Sequence, residues 1–243
     1  MPTSWIVAAW LAIVFSLPRV IHAGPPETFA QGLTRHHIAL TKAALLEALQ
    51  NSNAEVRGLA ASQLAETKQK DCLPQILQAA RDETDVRTKV SLASAAGNLG
   101  STEGDALLES ICKDSSVAGW TRTDAARNLF NDHDRACMPE LWQLMEPGVD
   151  ADTRVQAITL VAQRGDLTAE ELDRILRATM TAMSDSNVQL RFYATAMLQR
   201  LKDARAIPAL RTAIQVEKDA TIRSMMESAL KALLAIQAGP GAS

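Results

Sequence analysis

The chain has 243 residues, 47% of them apolar, 22% charged and only 4% aromatic, with a net charge of −3. That length and apolar share suit one large folded domain or an elongated array, and the alanine- and leucine-rich make-up points to close-packed helices. The slightly acidic balance argues against a general nucleic-acid binder, which needs a basic field.

Trp5 to Leu17 is an apolar run interrupted only by Ser16 and ended by Pro18. Ile21-His22-Ala23 then fits a small-residue cleavage site before Gly24. The run is short for a membrane span. Residues 1–23 therefore read as a secretory signal and residues 24–35 as a linker, so the mature chain is expected to be periplasmic or secreted with no membrane contact. An uncleaved N-terminal anchor is the alternative, because no Lys or Arg precedes the apolar run. No Asn-x-Ser/Thr sequon is present.

From residue 36 onward the chain repeats itself. Six basic residues, Arg57, Lys89, Arg122, Arg154, Arg191 and Arg223, mark the phase, at spacings of 32, 33, 32, 37 and 32. Four residues before the mark stands Asn53, Asp85, Asp150, Asn187 or Asp219, each a good helix N-cap; Ala118 is the lapse. Three, four and seven residues after it stand small or apolar residues such as Ala60, Ala61 and Leu64, or Ala157, Ile158 and Val161. Pro74, Pro139 and Pro208 each lie fifteen residues before a mark, where proline suits the first turn of a helix.

Each unit thus reads as two helices, A then B. The expected pairs are 36–49/54–66, 72–82/85–99, 103–113/118–130, 136–146/151–164, 169–183/188–202 and 205–217/220–236. The fifth A helix is lengthened, with Thr168 and Glu171 forming a capping box. Residues 237–243 read as a flexible tail.

The pattern Asp/Asn-x-x-(Val/Thr/Ile/Leu)-(Arg/Lys)-x-x-Ala-Ala-x-x-Leu, after an "LP-x-L"-like helix, resembles HEAT repeats, in particular the short bacterial, phycobilisome-lyase-like type. The resemblance spans about residues 36–236. It implies an all-α fold, a right-handed α-solenoid of about six two-helix repeats, with B helices on the concave side.

At about 100° per residue, positions 0, 3, 4 and 7 share one face of helix B. The six marker cations should therefore form a buried ladder, with stems in the apolar seam and heads on a carboxylate or carbonyl. Asp85, Asp150 and Asp219 are the expected partners. The reading of this row as an anion-binding ladder is the weaker one.

Positions −2, 2, 5 and 9 form the opposite, exposed stripe of helix B. Across the array it comprises Arg87, Ser91, Ser94, Asn98, Trp120, Asp124, Arg127, Asn131, Gln156, Gln163, Tyr193 and Arg200, among others. Trp, Tyr and Arg are common interface anchors, so this concave stripe is the expected site for a protein or peptide partner.

Other motifs offer little chemistry. His36 and His37 are adjacent and would diverge on a helix, so no metal or other cofactor is expected, and His133 reads as part of a polar turn. Arg164-Gly165-Asp166 spells an integrin-type tripeptide, yet Gly165 also sits where a helix should end. Cys72 and Cys137 fall in the same slot two units apart, and Cys112 lies later along the intervening helix. Three unpaired, mostly buried thiols are expected. No nucleophile elbow or phosphate loop stands out, so no catalytic residue is assigned.

The expectation is an exported, non-enzymatic scaffold or adaptor. The alternatives are a lyase-like or chromophore-attachment factor, which the resemblance alone suggests, and a nucleic-acid-binding solenoid.

Overall fold

The structure is a computed structural model that describes residues 27–130 and 135–238. The expected signal peptide, Asn131, His133 and residues 239–243 lie outside the described residues. Among the described residues there are thirteen α-helices and no strand. Two short 3-10 turns, Lys70–Cys72 and Ala204–Ala206, lead into the second and sixth A helices.

The six B helices are α3 (Ala54–Glu66), α5 (Val86–Asn98), α7 (Gly119–Phe130), α9 (Ala151–Ala162), α11 (Val188–Leu201) and α13 (Ala220–Ala238). Their A partners are α2 (Lys42–Ala48), α4 (Leu73–Asp82), α6 (Thr102–Lys113), α8 (Met138–Leu144), α10 (Ala169–Ala182) and α12 (Ile207–Val216). Residues 24–35, expected to be linker, contribute α1 (Phe29–Arg35) instead. It opens on a Thr28/Gln31 capping box and packs against α3, burying Leu33.

Local chemistry explains the boundaries. Asn53, Asp85, Asp150 and Asn187 each accept a backbone N–H of the first turn of their helix at 2.8–3.0 Å. Asp219 accepts from Thr221 and Ile222. Thr168 and Glu171 form the expected reciprocal box. Pro74, Pro139 and Pro208 each stand in the first turn of an A helix.

Helix α5 ends in a Schellman turn. Ser101 N–H donates to Ala96 O and Gly100 N–H to Gly97 O, with Gly100 at φ +94°. The same turn closes α3, but there the left-handed position holds Lys68 at φ +56°. Gly165 does not end α9 in this way: its φ is not positive, and the cap is Gln163.

Each B helix packs on the next in unbroken series, α3 through α13, whereas the A helices pack chiefly on B helices. An inner layer in close succession and an outer layer spread apart is the geometry of a curved two-layer array, with the B helices inside. The small residues read from the repeat form its spine. Ala60, Ala61, Leu64, Leu92, Ala93, Ala96, Ala125, Ala126, Ala157 and Val161 are fully buried. A Cβ added at Gly104 would meet the Ala93 carbonyl and the Gly97 amide at 2.7 Å, so α6 lies directly on the backbone of α5.

The thiol expectation fails at one pair. Cys112 and Cys137 form a disulfide, with Cα atoms 6.1 Å apart, while Cys72 is free and buried. Cys72 and Cys137, the equal-slot pair, are not joined; what fails is the reading that Cys112, later along its helix, is out of reach of Cys137. Helix α8 has only seven residues, and its N-cap, Cys137, is joined to the last turn of α6.

Candidate functional site

The buried cationic ladder comes first, because it fixes how the B helices face their surroundings. Arg57 Nε and Nη2 donate to the two Glu83 oxygens, both at 2.7 Å, and Nη1 donates to the Asn51 and Ser52 carbonyls. Arg191 repeats this arrangement with Glu217 at 2.7 and 2.9 Å, and with the Asp185 and Ser186 carbonyls at 3.0 Å. Arg154 donates to Asp185 at 2.5 Å. In all three cases the acid lies six residues before the marker cation of the following unit.

The expected partners Asp85, Asp150 and Asp219 are thus corrected: they cap their own helices, and the carboxylate at the end of the next A helix receives the guanidinium. Glu83 and Glu217 also accept backbone N–H groups of the loop that follows. The paired Arg57 and Arg191 guanidiniums hold these two carboxyls below the usual Glu range.

The ladder is incomplete. Arg122 is buried and donates to the Cys112 carbonyl at 2.8 Å. Lys89 is half-buried and has no ion pair among the described residues. Arg223 is exposed, against expectation, because no further described helix packs over it; its guanidinium bonds the Glu217 carbonyl. At the −6 position facing Lys89 stands Ser116, and facing Arg122 stands Gly148, so neither cation finds an acid at the ladder position.

The predicted stripe lies on the opposite side of the B helices, and the structure brings part of it together. Arg87, Ser91, Ser94 and Asn98 of α5 line a groove of about 630 Å³ with Asp124, Arg127 and Asn128 of α7. The end of α3 supplies a third wall through Ser62, Glu66 and Lys68. The Arg87 guanidinium lies over the Trp120 ring, 4.4 Å from its centroid. Both residues occupy the −2 position, in successive units. Ser94 Oγ donates to Asn128 Oδ1 at 2.6 Å, tying α5 to α7 across the groove floor. Arg127 pairs with Asp124 on its own helix.

The stripe continues onto α9, where Gln156 Oε1 and Thr159 Oγ1 are shielded from water and have no hydrogen-bond partner. Farther along it thins out. Gln163 caps α9, Tyr193 is half-buried with its ring edge-on to Phe192 at 5.4 Å, and Arg200 is exposed. These three do not join the groove. Sequence reasoning missed Lys68 and Asn128 as groove residues, because neither falls on the −2, 2, 5, 9 positions.

The tripeptide Arg164-Gly165-Asp166 is closed upon itself. Arg164 donates to Asp166 at 2.7 and 2.5 Å and lies over Phe130, with its side chain only 5% exposed. Arg164, then Arg135, hold the Asp166 carboxyl well below the carboxylate range. His36 and His37 fall in the turn after α1, not on a helix. No group of three His, Cys, Asp or Glu among the described residues converges to hold a metal ion. No described helix is long and apolar enough to cross a membrane.

A family model described as HEAT repeats matches residues 43–129, which hold all three walls of the groove. No curated protein sequence matches the chain. Among solved structures, the chain is similar to an engineered protein at 17% identity and TM-score 0.45, over 78% of this chain and 95% of that one. It is also similar to the complex of CpcE and CpcF of phycocyanin lyase from Nostoc sp. PCC7120, at 15% identity and TM-score 0.38, over 90% and 99% of the two chains. Human deoxyhypusine hydroxylase in complex with glycerol matches at 14% identity and TM-score 0.34, over 79% and 73%.

Proposed function

We propose that this chain, which carries HEAT repeats, is an exported, non-enzymatic adaptor that holds a protein or peptide partner in the groove between α3, α5 and α7. One observation carries the reading: three consecutive inner helices converge their exposed polar stripe on one open groove, with Arg87 already stacked on Trp120. A guanidinium fixed on an indole face loses little freedom on binding, and its in-plane donors stay free. The groove is large enough for several side chains of an extended segment.

Export is supported by the Cys112–Cys137 disulfide, since such bonds persist in oxidising compartments, and by the apolar Trp5–Leu17 run.

The test is capture by the immobilised mature chain from the exported fraction, with bound proteins identified by mass spectrometry. The triple variant Arg87→Ala, Trp120→Ala, Arg127→Ala should lose the partner while its circular dichroism matches wild type. Undiminished capture by a folded triple variant ends the reading.

A further inference from the structure

In the outer layer, charged side chains tie successive units together. Lys42 of α2 pairs with Asp71 ahead of α4, Arg81 of α4 bonds both oxygens of Glu103 on α6, and Arg205 ahead of α12 reaches Asp173 of α10. Arg174 and Arg177 of α10 break this pattern. Both are exposed, both line the seam with α8, and neither has an ion pair among the described residues. The Arg174 guanidinium lies over the Trp142 ring, 4.8 Å from its centroid. Beside this stack opens a recess of about 310 Å³, with Met145 and Pro147 on its apolar wall and Glu146 among its lining residues.

We propose that this recess binds a small phosphate monoester with a short apolar body. Its volume falls at the lower end of ligand pockets, about 300–1,000 Å³, which suits a small molecule and not a folded partner. Two guanidiniums three residues apart on one helix face repel one another, and a doubly charged oxyanion between them removes that repulsion. Stacking occupies the face of Arg174 and leaves its in-plane N–H groups to the ligand oxygens, where charge-assisted bonds are strongest. Glu146 opposes any anion, but two guanidiniums stand against its one carboxylate, so the net pull on a ligand grows with its charge. A phosphate monoester, at about −1.5 to −2 near neutral pH, carries more than a singly charged sulfate ester. Pro147, exposed beside the stack, receives the ester's carbon body.

Isothermal titration of the full chain with phenyl phosphate, phenyl sulfate and phenol tests the site. Phenyl phosphate should bind tightest, phenyl sulfate more weakly and phenol not measurably. Arg177→Ala should weaken phenyl phosphate by about tenfold or more, the loss expected for a hydrogen bond to a charged group. Glu146→Gln should tighten it several-fold, a gain that loosened packing does not produce. Arg211→Ala, an exposed arginine on α12, should leave it unchanged. Equal binding of phenol and phenyl phosphate, wild-type affinity in a helical Arg177→Ala variant, or no heat beyond dilution at millimolar phenyl phosphate would each overturn the proposal.

Discussion

The outer seams of the array and its middle seam solve one problem by different chemistry. Between the first two units, and again between the last two, a forked arginine crosses to a buried glutamate in near-identical geometry: Arg57 to Glu83 and Arg191 to Glu217, each acid 26 residues beyond its arginine. Between the third and fourth units the acid's place is taken by Gly148, and Arg122 turns back to a carbonyl of its own unit. There the Cys112–Cys137 disulfide spans the seam. A repeat can therefore lose its ladder acid where a covalent tie joins the neighbouring A helices.

The comparison breaks most sharply at the glutamates. Glu217→Ala leaves the largely buried Arg191 uncompensated and should cost about 3 kcal/mol, the lower end for one side of a buried pair, read as a lowered urea midpoint. The sign with pH follows from the depressed carboxyls. Their contribution is complete above the ordinary Glu value and is lost as pH falls through the folded-state value. The wild-type midpoint should hold from pH 7 to about 5.5 and decline below about pH 4, more steeply than in Glu83→Gln, Glu217→Gln protein.

At the middle seam, Cys112→Ser with Cys137→Ser releases a loop closed over 25 residues. The loss should be about 3 kcal/mol by chain entropy, whereas the outer seams' pairs are untouched. A thiol titration of the denatured, unreduced chain should find one thiol, Cys72; three would remove the contrast altogether.

A seam held by neither device sharpens the point. The second and third units meet by close approach, so Gly104→Ala should cost about 1–3 kcal/mol through overpacking against the α5 backbone. The smallest effect is a gain. Lys68→Gly relieves a left-handed lysine and should raise the thermal midpoint slightly, by the equivalent of about 0.5–1 kcal/mol, while removing one cation from the groove.

The repeat phase was readable because small residues at positions 3, 4 and 7 leave a period that survives substitution at any one site. The helix boundaries followed from Asn and Asp caps and three prolines. The ladder's acceptors were hidden because the caps at the −4 position offered themselves as partners, whereas the acids stand at −6, outside the repeat signature; and Asp185 lies 31 residues beyond Arg154, not 26, since the fifth unit is longer. Counted back from the next marker, all three acids coincide. The disulfide was hidden because Cys112 and Cys137 stand at opposite ends of their helices, and the offset of α6 against α8 along their axes is not encoded in either helix's periodicity. Arg87 was read as a stripe residue, but its stacking on Trp120 depends on the lateral offset of two B helices, which periodicity along one chain does not encode.

The unequal layers give the array a preferred direction of bending. Flexing that spreads the outer helices mostly lengthens water-screened surface tethers such as Lys42–Asp71 and Arg205–Asp173, except between α6 and α8, where the Cys112–Cys137 disulfide holds them. Flexing that parts the inner helices must pull alanine from alanine along the whole spine. The array thus acts as a leaf spring, stiffer against being straightened than against tighter coiling and pinned at the α6–α8 seam, so a partner held in the proposed groove would be met by closing rather than by unrolling.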